Sequence, residues 1–492
     1  MGRFIPESNW DYMPYEQIKE LQDKKLRYFI KHQVYAFSPY YRRLFDNLGI
    51  HPDEIRTTED LVKLPFTEKK DIVSTPESPG RPAEFILQPD EESIGRLADP
   101  SDLEEWSENG RISKSKLDYE YKPVHLVFTT GRTSLPTPFY YTKRDLEVFQ
   151  ESMRRALSVI GCTENDVLLG AMPYAPHLGF WCGFYMSQGF GIRSLLTGGG
   201  KVTPTSKLID LCENMRATVI HIMTGYVYHF LRTAAEQKRD FSSLRRVLIG
   251  GQRVPTGFRE KLLELLEEMG AKDARIINTF GFTESKIGAG IECADGGDQM
   301  GYHTLPDLGV FEVIDPKTGK RVGEGEPGEL VYTPLEMRGT CVVRYRLGDI
   351  ASGGITYQPC PVCGRTTPRV SSDLSRSTDF KDFTLTKLKS TLVNLNSFYT
   401  IVGANKDVME WQVEIRKRND DPFDVDELYL YIAPRKGADW EKLKHKLAAE
   451  ILDVTEVSPN GIEFCDLPRL LDRLGMETEI KERRIVDRRP VK

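Results

Sequence analysis

From Pro123 onward, short β-branched runs alternate with amphipathic helical stretches, and this alternation constrains the fold more than any other feature. VHLVFTT, DVLLGAM, ATVIHIM, RRVLIGG and ARIINTF each read as a strand. Helical periodicity occupies residues 143–160, 180–188, 206–216, 227–237 and 256–269 between and around them. Repeated αβ alternation predicts parallel, doubly wound sheets with helices on their faces, so the expected class is α/β.

The pattern changes on either side of that body. Residues 15–48 carry a helical pattern, with Ile18, Leu21, Leu26, Phe29 and Ile30 among polar neighbours. Residues 90–121 are rich in acidic residues and Ser, show little periodicity, and read as a surface excursion. After about residue 307 the chain turns β-rich. GVFEVIDPKTGKRV reads as a hairpin about residues 316–319, with GELVYTPL and TCVVRYRLGD as further strands. From about residue 379, VMEWQVEIRK and ELYLYIAPRK flank a polar turn, followed by a helix over 439–452 and the strand GIEFCDL. The expected organisation is a body over 1–378, with a β-rich subdomain at about 305–374, and a small α+β domain over 379–492.

Composition excludes several classes. The 492 residues hold 67 basic and 73 acidic side chains, a formal charge of −6, which gives no bulk electrostatic reason to bind nucleic acid or anionic lipid. No apolar run approaches the roughly 18 residues of a membrane span. The N-terminal residues lack an export-signal core, and eight cysteines in 492 residues are too sparse for a disulfide scaffold. A cytoplasmic protein with reduced thiols is expected.

Three segments offer chemistry. FTTGRTSLPTP, 128–138, sets the hydroxyls of Thr129, Thr130, Thr133 and Ser134 around Gly131, which suits phosphate oxygens. It is no Walker loop, because no GK[ST] follows, and a polar strand-to-helix turn reads equally from the same residues. NTFGFTE, 278–284, ends a strand with Thr283 and Glu284, oxygen donors for phosphate and Mg²⁺, or a simple helix cap. RYRLGD, 344–349, places Asp349 where it can accept from both ribose hydroxyls, or form a hairpin turn.

Taken in order, these segments resemble the adenylate-forming superfamily, most closely its phenylacetate–CoA ligase branch, over nearly the whole chain. FTTGRTSLPTP is similar to the family's phosphate loop, and IGGQ, bearing Gly250, Gly251 and Gln252, to its adenine-side segment. FGFTE resembles the aromatic-Gly-x-Thr-Glu motif, so Thr279, Phe280, Gly281 and Phe282 are expected on the nucleotide. RYRLGD resembles the ribose motif. SRSTD resembles the segment with a ribose-contacting arginine, Arg376, and a hinge aspartate, Asp379. EIKERRIVDRR resembles the lysine-bearing end and puts Lys481 on the catalytic position. The resemblance implies ATP, Mg²⁺ and CoA as co-reactants, an aromatic or arylacetic acid as substrate, and makes a homodimer plausible. The chain departs from the family pattern at Arg132, Ser134 and Leu135, where a small hydroxyl residue, a second glycine and a lysine are usual. Transfer to an amine or carrier-protein thiol, and loss of catalysis, stay open as alternatives.

CPVCG carries Cys360 and Cys363 at the spacing of a zinc knuckle, half of a tetrahedral site. The resemblance suggests that Cys293 and His303 lie beside it, completing a structural Cys₃His set; unbridged buried thiols are the alternative. Tyr174, His177, Phe180 and Trp181 fall where family members place the acyl pocket, and an aromatic lining suits a flat acid. A helix start with a hydrogen-bonded His explains the same residues. His221, inside TVIHIM, reads as a core residue.

Overall fold

The computed structural model describes residues 10–129, 136–251, 254, 256–376, 385–388, 391–395, 397–420, 424–476 and 482–489. The chain divides into two compact units, one of Met1–Asp166, Tyr174–Arg193 and Ile277–Leu374, the other of Val167–Pro173, Ser194–Ile276 and Ser375–Lys492. The boundary expected at 378/379 lies outside the described residues.

In the first unit, helix Tyr15–Tyr28 runs on through a π-helical stretch, Phe29–Tyr35, burying Ile18, Leu26, Phe29 and Ile30. Ser38 caps the next helix, Pro39–Leu48, with Pro39 in its first turn; Gly49 ends it at φ 66°. Residues 90–121 are more ordered than their weak periodicity predicts. Helices Glu91–Leu97, Pro100–Trp106 and Lys114–Tyr121 form there. Asp90 accepts from the Ser93 amide at 2.7 Å and Asp99 from the Ser101 amide at 2.9 Å, so capping compensates for short length. Trp106 and Tyr121 pack edge-on at 5.6 Å, and Phe37 meets Tyr121 at 5.4 Å, which anchors the excursion to the core.

VHLVFTT departs from the parallel pattern. Strand His125–Phe128 pairs antiparallel with Pro138–Tyr141, His125 opposite Tyr141. The link between them is too short for the crossover that a parallel pair needs. A reciprocal cap between Thr142 and Asp145 then opens helix Lys143–Val159, and helix Leu178–Phe190 follows later.

An antiparallel run follows the end of strand Arg275–Phe280. Ile291 of Gly290–Glu292 faces Thr279 on one side and His303 of Tyr302–Thr304 on the other. His303 in turn faces Arg369 of Arg369–Val370, which faces Thr356 of Ile355–Thr356. Beside this run, Gly309–Ile314, Gly328–Pro334 and Tyr345–Ala351 pair antiparallel in that order. The hairpin expected about 316–319 forms with a short return arm: Gly319 donates to the Asp315 carbonyl at 2.8 Å, Asp315 to the Lys320 carbonyl at 2.8 Å and Val322 to the Val313 carbonyl at 3.0 Å, about an antiparallel Ile314–Arg321 bridge. The long partner of Gly309–Ile314 is Gly328–Pro334.

The second unit holds the parallel strands Val167–Ala171, Val219–Met223 and Arg246–Gly250, as the apolar runs predict. Helices Thr205–Asn214, Thr224–Glu236 and Thr256–Glu268 cover them, with Leu208, Phe230, Leu231, Leu262 and Leu266 buried against Ile220, Ile222 and Val247. Its C-terminal part is a four-stranded sheet in the order Gly461–Phe464, Asp426–Pro434, Val408–Lys417, Ile485–Asp487. The central pair is antiparallel and both edge strands join in parallel. Leu443, Leu447 and Ile451 of helix Trp440–Thr455 pack on Val413, Ile415 and Leu430. Among the described residues no helix is long and apolar enough to cross a membrane.

Candidate active site

Of the phosphate-loop candidates, Thr130, Gly131, Arg132, Thr133 and Ser134 lie outside the described residues, as do Gln252, Asp379 and Lys481. The shoulders of the loop are described. Thr129 Oγ1 accepts from the Thr137 amide at 3.1 Å, and the Thr129 amide donates to the Thr137 carbonyl at 3.1 Å. His177 is the N-cap of helix Leu178–Phe190. Its Nδ1 lies 3.0 Å from the Phe128 carbonyl, which only accepts, so Nδ1 carries the proton. Strand His125–Phe128 therefore ends tied to the start of helix Leu178–Phe190.

FGFTE follows strand Arg275–Phe280. The Phe280 ring stacks on Tyr302 at 5.5 Å and is half-buried, whereas Phe282 is buried edge-on against Tyr332 at 5.1 Å. Thr283–Ser285 is a single 3₁₀ turn, so Thr283 and Glu284 open no long helix. Two ties hold that turn. Tyr345 donates to Glu284 Oε1 at 2.9 Å. Lys286, at φ 61°, sends its ammonium to Asp145 Oδ2 at 2.7 Å and to the Tyr140 carbonyl at 2.9 Å, with both charged side chains fully buried. Non-glycine residues rarely adopt such a φ, and the buried pair holds Lys286 there. Asp349 is buried four residues beyond Tyr345, after Gly348 at φ 72°. Tyr345, Lys286 and Asp145 were not singled out by motif reading, although Tyr345 sits inside RYRLGD.

In the second unit, Gly250 ends strand Arg246–Gly250 and Gly251 follows at φ 94°. The Thr224 hydroxyl donates to the Gly250 carbonyl at 3.1 Å. Arg376 is the last residue of strand Leu374–Arg376.

Three of the acyl-pocket candidates, Tyr174, Phe180 and Trp181, belong to one chain of rings, while His177 bonds instead to the Phe128 carbonyl. Tyr174 meets Phe180 edge-on at 4.9 Å, Phe180 meets Trp181 at 5.5 Å, and Trp181 meets His125 at 4.4 Å. His125 continues to Tyr141 at 5.6 Å. Trp181 Nε1, His125 Nε2 and the Tyr141 hydroxyl are buried and have no hydrogen-bond partner among the described residues. Burial lowers the His125 pKa and raises that of Tyr141 well above the phenol range, so both rings are neutral at pH 7. Sequence reading missed His125 and Tyr141, because nothing in a strand pattern marks an unpaired polar atom.

The candidate metal ligands converge. One ligand atom each from Cys293, His303, Cys360 and Cys363 lies within 4.8 Å of all the others. The strand register explains this, since Cys293 follows Gly290–Glu292, which pairs with the strand of His303. The CPVCG turn sits between Ile355–Thr356 and Arg369–Val370 of the same run. Cys363 Sγ is 3.5 Å from His303 Nε2, and Thr367 Oγ1 is 3.4 Å from His303 Nδ1. A partner on Nδ1 leaves Nε2 facing the sulfurs, as a ligating histidine requires.

Comparison with known proteins agrees with this layout. The family model "AMP-binding enzyme" matches residues 65–344. Phenylacetate-coenzyme A ligase of Thermus thermophilus is 30% identical over 375 residues, spanning 75% of this chain and 72% of that protein. Phenylacetate-coenzyme A ligase of Aromatoleum evansii is 25% identical over 484 residues, 96% of this chain and 95% of the other. The structure of 2-hydroxyisobutyryl-CoA ligase in its postadenylation state superposes with a TM-score of 0.76 at 18% identity, over 99% of this chain and 94% of that one, and shares the fold. The chain therefore belongs to the AMP-binding enzymes, as a phenylacetate–CoA ligase-like member of that family.

Proposed function

We infer that this protein is an AMP-forming acid–CoA ligase that activates an aromatic or arylacetic acid as its acyl-adenylate. The observation that carries the choice of acid is the continuous ring series Tyr174, Phe180, Trp181, His125 and Tyr141, suited to a flat aromatic group. The phenylacetate ligases among its relatives support the same acid class.

A carboxylate is a poor acyl donor because oxide would have to leave. Attack of the carboxylate oxygen on the α-phosphorus of ATP forms the acyl-AMP and expels pyrophosphate. Attack of the CoA thiolate on the acyl carbon then forms the thioester and releases AMP. Charge spreads over phosphoryl oxygens in the first step, so the protein contributes positioning and electrostatics. In this reading Lys481 bridges the α-phosphate and the acid. Asp349 and Arg376 hold the ribose. Gly250, Gly251, Gln252, Thr279, Phe280, Gly281 and Phe282 line the adenine side, and loop residues 129–134 cover the departing phosphates. Glu284 and Thr283 supply oxygens for Mg²⁺, which would offset phosphate charge; Tyr345 leaves Glu284 Oε2 for it. Residues 379–492 act as a lid that turns about Asp379 between the two steps.

Cys293, His303, Cys360 and Cys363 suit one structural Zn²⁺, because three sulfurs and one imidazole complete a tetrahedral set with no open position. About one zinc per chain is expected from metal analysis of purified protein; much less than one refutes the assignment. A cytoplasmic homodimer completes the reading, with light scattering as its check.

The deciding experiment supplies Mg-ATP, CoA as sole acceptor and a mixed pool of aromatic and aliphatic acids, then reads AMP and acyl-CoA masses together. An aryl-CoA with matching AMP is expected. AMP without thioester would move the reading to an amine or carrier-protein acceptor, and neither product would overturn it.

A further inference from the structure

The ring series of the first unit has an open end and a closed one. Tyr174 is 64% exposed, whereas Tyr141 is fully buried. His125 and Tyr141 stand directly opposite one another on the antiparallel strands His125–Phe128 and Pro138–Tyr141, so their side chains share one face. Helix Leu178–Phe190 brings the third ring of the closed end. The Phe128 amide donates to the Pro176 carbonyl at 2.7 Å, and His177 Nδ1 donates back to the Phe128 carbonyl at 3.0 Å. These two bonds pin the helix start to the strand. Trp181, in the first turn, then lies 4.4 Å from His125 between ring centres.

The rings themselves are well held. Phe149 stacks on Tyr141 at 6.1 Å, the Lys286 ammonium lies 5.0 Å from the Tyr141 ring centre, and Phe184 meets Trp181 edge-on at 5.9 Å. Their polar atoms are not. The Tyr141 hydroxyl, His125 Nε2 and Trp181 Nε1 are all buried with no hydrogen-bond partner among the described residues. Buried polar atoms are matched in the great majority of cases, and an unmatched one carries its whole desolvation cost. Three of them on adjoining rings mark a place for a group that complements them. Indole N–H only donates, a phenol donates or accepts, and a neutral imidazole with its proton on Nδ1 accepts at Nε2. Burial keeps His125 in that neutral form. A hydroxyl answers all three, since its oxygen accepts twice and its hydrogen donates once. A carbonyl answers only the two donors, and a halogen or methyl group answers none.

We propose that Tyr141, His125 and Trp181 form a specificity subsite for a hydroxyl substituent, so that the acid activated here is a hydroxylated aromatic or arylacetic acid. This rests on the reading above that the ring series lines the acyl pocket. The indole and the phenol donate to the substituent's oxygen, and its proton is donated to His125 Nε2. An acid without the group leaves the three atoms unpaired, and a site built to hydrogen-bond a substrate hydroxyl discriminates strongly against an analogue that lacks it.

The test measures acid-dependent ATP–pyrophosphate exchange by the full-length protein. The acids are phenylacetic acid, its ortho, meta and para monohydroxy derivatives, the matching fluoro derivatives as size controls, and the same set built on benzoic acid. One hydroxylated acid should exceed both its unsubstituted and its fluoro analogue by about a hundredfold or more in kcat/KM. Tyr141→Phe and Trp181→Phe, with melting temperatures to confirm folding, should each cut that ratio about tenfold, because each removes one bond to the hydroxyl. A purely structural role for these side chains would lower both acids alike and leave the ratio unmoved, and that result overturns the subsite. Equal rates on hydroxylated and unsubstituted acids in the unaltered protein overturn it without any variant, since water then meets the three atoms. If no aromatic acid of either kind is activated, the reading of the pocket itself has failed, and the subsite falls with it.

Discussion

The phenol of Tyr345 donates to Oε1 of Glu284 at 2.9 Å and so joins the ribose-motif strand to the turn that bears the Mg²⁺ candidate. A hydrogen bond to a charged acceptor contributes roughly 1.5–3 kcal/mol, which exceeds a factor of ten in rate or affinity. Tyr345→Phe should lower acid-dependent ATP–pyrophosphate exchange by about tenfold and raise the Mg²⁺ concentration giving half-maximal rate. Glu284→Gln should lose more. An unaltered Mg²⁺ requirement in Tyr345→Phe would detach this contact from the chemistry.

Lys286 and Asp145 form a fully buried ion pair at 2.7 Å beneath that turn. Removing one partner strands the other charge, at a typical cost of roughly 3–5 kcal/mol. Lys286→Met should therefore unfold at clearly lower denaturant, and Lys286→Met with Asp145→Asn should recover part of the loss. Asp145 also accepts from the backbone amides of Arg338 and Gly339 at 2.7 and 2.8 Å. A loss below about 1 kcal/mol in the single variant would mean that these amides alone satisfy the carboxylate.

His221 is buried in strand Val219–Met223 with Nδ1 unpartnered among the described residues, and burial pushes its pKa down to about 4. The unfolded value is roughly 6.5. Between these values the unfolded chain binds a proton that the folded chain refuses, so stability falls as pH drops through that window. The total is about 3 kcal/mol. His221→Leu should lose less stability than the parent between pH 7 and pH 4.5, measured by urea unfolding at both. Equal losses in the two proteins would refute the assignment.

Cys360→Ser removes one of four convergent metal donors. Bound zinc should drop well below one per chain, and the melting temperature should fall by roughly 5 °C or more, because metal-binding free energy is folding free energy. The closed donor set has no position for substrate, so the folded fraction should keep adenylation activity. A variant with full zinc and an unshifted melting curve would contradict this.

The parallel core of the second unit was readable because its strands are continuous apolar runs buried on both faces. Predicted and observed limits of Val219–Met223 and Arg246–Gly250 differ by at most two residues at either end. Pairing partners were harder to read. His125–Phe128 looks like those strands, yet it pairs with Pro138–Tyr141, and the partner of Gly309–Ile314 begins fourteen residues after it ends. Helices Glu91–Leu97, Pro100–Trp106 and Leu467–Leu474 are set by caps at Asp90, Asp99 and Asp466 more than by periodicity. Motifs named Glu284 and Asp349 and gave all four convergent cysteine and histidine positions. They were silent on Lys286, Tyr345 and His125, whose importance comes from partners that only folding supplies. Tyr345 reaches Glu284 across 61 residues, and Lys286 reaches Asp145 across 141.

The segment just after the CPVCG turn also reaches Asp11. The Thr366 amide donates to the Asp11 carbonyl at 2.8 Å, and Arg365 Nε lies 3.2 Å from Asp11 Oδ2, a separation of 354 residues. At roughly 5–20 residues per second, a ribosome needs on the order of half a minute to make the intervening chain. During that time the segment around Asp11 lacks its native neighbour, and it stays unanchored on this side until residues 365 and 366 have emerged.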